Sequence, residues 1–417
     1  ISGKKVGKSE KKNLHQIHWI ICRKYTTCNM KTISDPYQRH LFDDDSIFNV
    51  YDEESTNLTV GVPGPDLLQN CVEIMKKVTD HRVKEEKTEG KYYLFQYGIT
   101  AGLWECREEL AKFLSRRYSD PVKRENLILT CGASHGLQLL LNTILSPNGI
   151  IFVEEVTYMT ALDAFGQFPL MKIVAVPMKN DMVDLDEFEK IIVEEKRNGN
   201  FLTNKQKILW AMFYTIPTFH NPTGSTLPPE NCKRLIEIAR KSSILIAYGL
   251  LPHRLFCYDK QTDPEYKAGN IVSNGSGILC NGGAVNHYVS GVVTILLQLN
   301  LQDNYLDKLT QIYKERLTIL CNVLDYYLQC CSYKRPEGGY FVWIHLPLEI
   351  NATDFIQWCQ KKYKVSVIPG ILFSYSGKSH NYLRLSISFH RKEVLETATK
   401  SLCEALLDYV RKNIDYK

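Results

Sequence analysis

Two absences mark the middle of this chain of 417 residues. From Ile238 to Tyr258 there is no aspartate or glutamate, and between Lys267 and Lys308 there is no lysine or arginine. Other absences bound the whole molecule. No run of about 18 apolar residues occurs, so no membrane-spanning helix is expected. The 13 cysteines contain no Cys-x-x-Cys pair, and their irregular spacing gives no zinc motif. Such thiols read as free side chains in a reducing, cytoplasmic setting. Charge of one sign is also lacking. The net +5 comes largely from the first 29 residues, where seven basic side chains face the single acid Glu10, and the remainder is close to neutral. A nucleic-acid partner is therefore not expected. "LHQIHWIIC" is too short and too polar for a signal-peptide core. A mitochondrial presequence is the alternative to a cytoplasmic location, but arginine and serine are scarce there. "GKKVGKS" is one residue short of a P-loop and follows no strand. Met30 opens a stretch that reads as a natural start, so residues 1–29 are expected to lie outside the functional protein.

What is present is a chain long enough for a large core, 44% hydrophobic and 23% charged. From about residue 105, helix-type and strand-type segments alternate. "ECREELAKFLSRRY" has helical spacing, "NLILT" is a β-type run, and "CGASHGLQLLLNTILSP" is a glycine turn entering a helix. "GIIFVEE", "KIVAVPM", "KILWAMFYTIP" and "SILIAYG" are apolar strands, and "PPENCKRLIEIARKS" is a helix opened by Pro228 and Pro229. Continuous apolar strands between helices predict an α/β fold, a mostly parallel sheet with helices on both faces. After about residue 300 a long amphipathic helix and the strands "GGYFVWIHL", "VSVIPG" and "YLRLSIS" predict a smaller α+β domain. The expected organisation is an extension over residues 1–47, a large domain over 48–300 and a small domain over 301–417.

Four segments carry chemistry. In "TCGASHGLQLL" a helix starts after a tight turn, leaving free backbone amides that favour a phosphate. "PTFHNPTGSTLPP" is a rigid turn presenting Asn221 after a buried strand. In "NYLRLSISF" Arg384 sits inside an apolar strand, where it needs a partner. A carboxylate held bidentately is the natural one, and a structural salt bridge is the bland one. "YYLFQYGITAGLWECREELAKFL" places Tyr97 and Gly98 before a turn and helix.

Together and in this order, these segments resemble the class I/II aminotransferases of pyridoxal-phosphate fold type I, nearest the kynurenine/aminoadipate aminotransferase-like branch. The resemblance runs roughly from Phe48 to Arg411. It implies pyridoxal 5′-phosphate as cofactor, amino acid and 2-oxo acid substrates, and a homodimer. It also implies residue roles. Ala133 and Ser134 cradle the phosphate, Tyr158 lies against the pyridine ring, and Asn221 bonds the ring oxygen. Tyr97 reaches the neighbouring subunit's phosphate, Arg384 clamps the substrate α-carboxylate, and Gly61 passes close to the substrate. Ser276 ends the string that leads to the lysine.

Here the pattern breaks. The family's chemistry needs a lysine that anchors the cofactor and moves a proton, and an acid that keeps the pyridine nitrogen protonated. "IVSNGS" leads up to Ser276 as the family does, but "GILCNGGAVNHYVSG" resembles sequence from well beyond the lysine. The resemblance therefore implies that a segment holding the lysine, the arginine after it and one strand is absent between Ser276 and Gly277. Where the acid belongs, the chain reads "AYGLLPHRL", with Gly249 or Leu250 near its place and Pro252 near a tyrosine's. Loss of a proton-transfer group alone costs on the order of 10²–10⁴ in rate, so the chain as written is expected to be inactive. Two readings follow: an aminotransferase whose lysine segment is absent from this sequence, or a non-catalytic binding protein or dimer partner on the same fold.

Overall fold

The computed structural model describes residues 49–51, 54–203, 209–250, 254–258, 285–328 and 330–414. Residues 1–47, Pro252, Ser276 and Gly277 lie outside them. The larger sheet has five strands in the spatial order Lys172–Val176, Leu145–Glu154, Leu209–Thr215, Ile244–Leu250 and Arg254–Tyr258. The first four run parallel, and the last returns antiparallel along Ile244–Leu250.

The apolar runs are explained by cover on both faces. Ile151, Val153, Met212, Leu245 and Ala247 share a core with Leu137, Leu141 and Phe165 of helices Gly132–Thr143 and Met159–Gly166. The alternate residues Ile150, Phe152, Ala211, Phe213 and Ile246 face Phe188, Ile192, Leu235 and Ile238 of helices Leu185–Asn198 and Pro229–Ser242. Local signals start these helices. Asp184 accepts from the amides of Asp186 at 3.0 Å and Glu187 at 3.2 Å, the usual N-cap arrangement. Pro229 opens the other helix, where a missing amide hydrogen costs nothing.

One expected strand is not formed. "NLILT" becomes a turn of 3₁₀ helix at Arg124–Asn126 followed by extended chain. Its backbone bond outside that turn runs from Leu129 to the Ala101 carbonyl at 3.0 Å. A β-type composition makes a strand only where a neighbour offers a ladder of donors and acceptors.

The smaller sheet is antiparallel, in the order Ile368–Pro369, Tyr382–Ser386, Phe341–His345 and Ser332–Tyr333. Helices Leu301–Tyr327, Ala352–Tyr363 and Lys392–Ile414 cover one face through Leu320, Phe355 and Leu402 against Val342, Ile344 and Leu385. Leu58 and Leu67 join this core, and Thr56–Asn57 pairs parallel with Val365–Ser366. The stretch that opens the expected large domain therefore packs with the small unit, where its apolar side chains find partners.

The other face of the small sheet meets the large unit. Trp343, Ile368 and Phe373 pack with Val156 and Met159. The Thr157 amide donates to the Phe373 carbonyl at 2.9 Å, and the Tyr375 amide to the Glu155 carbonyl at 3.0 Å. Glu155 Oε1 accepts from the hydroxyls of Ser374 at 2.8 Å and Ser376 at 2.6 Å.

The large-unit core gives a direct test. Phe213 is fully buried, its ring 4.6 Å from that of Phe188. Phe213→Ala is expected to lower the unfolding free energy by about 3–5 kcal/mol, while Leu170→Ala on the surface stays within about 0.5 kcal/mol. Urea midpoints measure both.

Candidate functional site

In an open parallel sheet, ligands gather beyond the carboxyl ends of the strands. Four features meet there. Helix Gly132–Thr143 ends just before Leu145 starts its strand, so the helix N-terminus points back to the carboxyl edge. No side chain caps it at Cys131, and Gly132 takes a left-handed φ of 84° to make the entry turn. Ala133 and Ser134 lie in its first turn, where unpaired amides and the helix dipole favour an anion. Tyr158 follows strand Leu145–Glu154 and packs, half-buried, against the core beneath that helix.

Arg384 is the strongest feature. It lies on strand Tyr382–Ser386 and is only 2% exposed. Its Nη1 donates to Asn221 Oδ1 at 2.8 Å and its Nη2 to the Thr59 carbonyl at 2.5 Å. The guanidinium carbon stands 4.1 Å from the centre of the Phe341 ring and 4.6 Å from that of Phe373, within cation–π range. Its Nε is buried without a partner, and no acid pairs with it among the described residues. Burial pulls its pKa down to about 9, opposed in part by Tyr158. The group is still charged at neutral pH. Among the described residues, neutral acceptors and ring faces are what hold this buried cation.

Gly61 completes the floor. A Cβ there would stand 2.6 Å from the edge of the Phe341 ring that supports Arg384. The Asn221 turn rests on a buried polar chain. Glu154 accepts from Thr215 at 3.0 Å and pairs with His220 Nε2 at 3.0 Å. His220 Nδ1 meets Thr223 Oγ1 at 2.9 Å, Thr223 meets Ser225 at 2.7 Å, and Ser225 donates to the Asp181 carbonyl at 2.8 Å. Sequence reading missed Glu154, although it opens the "EEVTY" stretch and His220 immediately precedes Asn221.

The acid-free strand end has a physical counterpart. A Cβ on Gly249 would stand 2.7 Å from the Tyr214 hydroxyl. Burial, with Tyr158 and Glu154 nearby, pushes the Tyr214 pKa up, so this phenol stays neutral. A neutral hydroxyl thus borders the position.

Of the expected site residues, Asn221 and Arg384 bond directly, and Gly61 abuts the Phe341 ring that supports Arg384. Tyr158 lies close enough to act on the Arg384 charge. Ala133 and Ser134 open the helix at the same edge of the sheet. Tyr97 stands 90% exposed. Ser276 is outside the described residues. Sequence reading missed Phe341, Phe373 and the Thr59 carbonyl, because only the fold brings them around Arg384. Among the described residues, no cluster of three or more His, Cys, Asp or Glu could hold a metal, and no helix is long and apolar enough to cross a membrane.

The sequence profile of "Aminotransferase class I and II" matches residues 54–248 and 284–402. Among curated relatives, aromatic-amino-acid aminotransferase 1 of Thermococcus litoralis is 26% identical over 85% of this chain and 89% of its own. A kynurenine aminotransferase of Pyrococcus horikoshii, solved with PMP, superposes with a TM-score of 0.71 at 22% identity, covering 87% of this chain and 93% of that one. The α-aminoadipate aminotransferase of Thermus thermophilus, complexed with N-(5′-phosphopyridoxyl)-L-leucine, gives 0.67 at 21% identity, covering 91% and 98%. These likenesses establish fold type I of the pyridoxal-phosphate enzymes.

The Glu154–His220 pair is predicted to support the site turn. Glu154→Ala leaves His220 and Thr215 without their buried partner and is expected to cost about 2–4 kcal/mol of stability. Glu154→Gln, which keeps the shape and one acceptor, should cost less. Denaturant titration of both variants checks the order.

Proposed function

Starting from a chain that belongs to the class I and II aminotransferase family, with pyridoxal 5′-phosphate as its cofactor, we propose a protein that binds this cofactor non-covalently. It also binds the carboxylate of an amino acid or 2-oxo acid, and it is inactive in transamination as written. The observation that carries the reading is Arg384, a buried guanidinium with an unpaired Nε and no acidic partner among the described residues. A ligand carboxylate supplies the missing charge and accepts the remaining N–H groups.

The residues fit the two ends of the cofactor–substrate assembly. The amides around Ala133 and Ser134 suit the phosphate, and Tyr158 suits a ring face. Asn221 donates its remaining amide hydrogens to an oxygen while its Oδ1 steadies Arg384. When bound, the cofactor supplies an electron-accepting ring. The middle of the site is not served. No acid lies between Ile238 and Tyr258, and no lysine between Lys267 and Lys308. The family profile leaves residues 249–283 unmatched, a stretch that overlaps both. The second reading is an active aminotransferase whose lysine-bearing segment is absent from this sequence. The return of the family pattern from residue 284 favours it, and sequencing the source transcript across the Ser276–Gly277 junction separates the two.

A homodimer belongs to the same proposal. Tyr92, Tyr93, Phe95, Tyr97 and Trp104 are each at least half exposed. A second copy would cover these apolar rings and receive Tyr97 at its phosphate cradle. Sedimentation should give a dimer at micromolar concentration. A monomer with bound cofactor would refute this part.

Three measurements test the core reading. With added pyridoxal phosphate, no amino-donor-dependent conversion of a 2-oxo acid is expected, and borohydride should leave the cofactor removable on denaturation. Turnover, or a cofactor fixed by borohydride, would overturn it. By calorimetry, Arg384→Met should weaken 2-oxo acid binding at least about tenfold, the loss of one charge-assisted contact, and Arg384→Lys should not restore it.

A further inference from the structure

Adjacent cysteines, Cys330 and Cys331, immediately precede the edge strand Ser332–Tyr333 that follows helix Leu301–Tyr327. Cys330 and Cys331 are both half-buried, and their sulfurs stand 3.6 Å apart. Both pack on the rim of the small-unit core, and the carboxylate site uses neither. A thiol hydrogen is shared between the two sulfurs, and either can donate it. That bond, helped by a backbone hydrogen bond and by Arg411, outweighs burial and holds the Cys330 thiol at about 7, while the Cys331 thiol is pushed up. A nucleophilic sulfur thus sits beside one that keeps its proton. The other cysteines of this core behave differently. Cys321, Cys359 and Cys403 are fully buried, and burial raises each of them.

We propose that Cys330 and Cys331 form a reversible oxidation site for hydroperoxides, closing to a disulfide between adjacent residues. The Cys330 sulfur attacks the outer peroxide oxygen, the O–O bond breaks, and water or an alcohol departs. Cys330 becomes a sulfenic acid. The Cys331 sulfur then displaces hydroxide from it, the S–S bond forms, and the Cys331 proton leaves with the hydroxide as water. The two sulfurs together lose two electrons, which reduce the peroxide. A dithiol returns them by exchange. Closure brings the sulfurs from 3.6 Å to about 2.0 Å. Among the described residues, the following edge strand is held to its neighbour by two residue pairs, Tyr333 with Ile344 and Ser332 with His345. The small, strained ring of a vicinal disulfide makes the product easy to reduce.

The test exposes the full chain to one equivalent of hydrogen peroxide, alkylates it under denaturing conditions and maps its peptides. The peptide bearing Cys330 and Cys331 should be lighter by two hydrogens and resist alkylation, and dithiothreitol should restore it. Cys331→Ser should instead accumulate a dimedone-trapped sulfenic acid at Cys330, forming about tenfold faster than at exposed Cys131. Cys330→Ser should leave Cys331 unreacted. Circular dichroism checks that both variants fold, and if either does not, the wild-type map decides alone. Absence of the two-hydrogen loss in the wild type would overturn the proposal. Equal sulfenic acid at Cys331 in Cys330→Ser would do so as well.

Discussion

A guanidinium taken out of water must be paid for by what surrounds it, and around Arg384 that constraint organises both units. The strand that carries it belongs to the small sheet. Its two nitrogen partners come from elsewhere: Asn221 from the turn after a large-sheet strand, and Thr59 from the segment that pairs with Val365–Ser366. Its ring neighbours Phe341 and Phe373 come from two further places in the small unit. None of these groups is acidic. The charge is stabilised by dipoles and ring faces, weaker partners than a carboxylate in a buried place.

The seam between the units follows from the same requirement. Glu155 gathers Ser374 and Ser376, and Thr157 bonds the carbonyl of Phe373, so Tyr158 and the Phe373 ring are set by adjacent bonds on one short strand-like contact. Beneath the Asn221 turn, the Glu154–His220–Thr223–Ser225 chain gives every buried polar atom in it a partner. A turn that must hold an amide at a fixed angle gains rigidity from such a network.

Much of this was readable from residues alone. The parallel sheet followed from unbroken apolar strands such as "LWAMFYT", and one helix start from Pro229. Asn221 and Arg384 stood out because an asparagine on a proline turn and an arginine in an apolar strand are locally incongruous. "NLILT" misled for a physical reason: strand formation depends on a neighbour's ladder, which composition does not report. Phe341, Phe373 and Thr59 gave no signal, since an aromatic or a backbone carbonyl in a strand looks like any other until a charge is placed against it. Tyr97, which the resemblance assigns to a neighbouring subunit's phosphate, is 90% exposed in the single chain.

The order of the motifs, the missing acid between Ile238 and Tyr258 and the missing lysine between Lys267 and Lys308 were determined by the sequence, because presence or absence of a titratable group needs no coordinates. Tertiary structure alone decided that Arg384 has no acidic partner among the described residues and that the Tyr214 hydroxyl borders Gly249. It also decided that residues near Leu58 pack with the small unit. Each of these depends on which distant segments share a few ångströms of space, and that is set by the packing of apolar faces rather than by any local pattern in the chain.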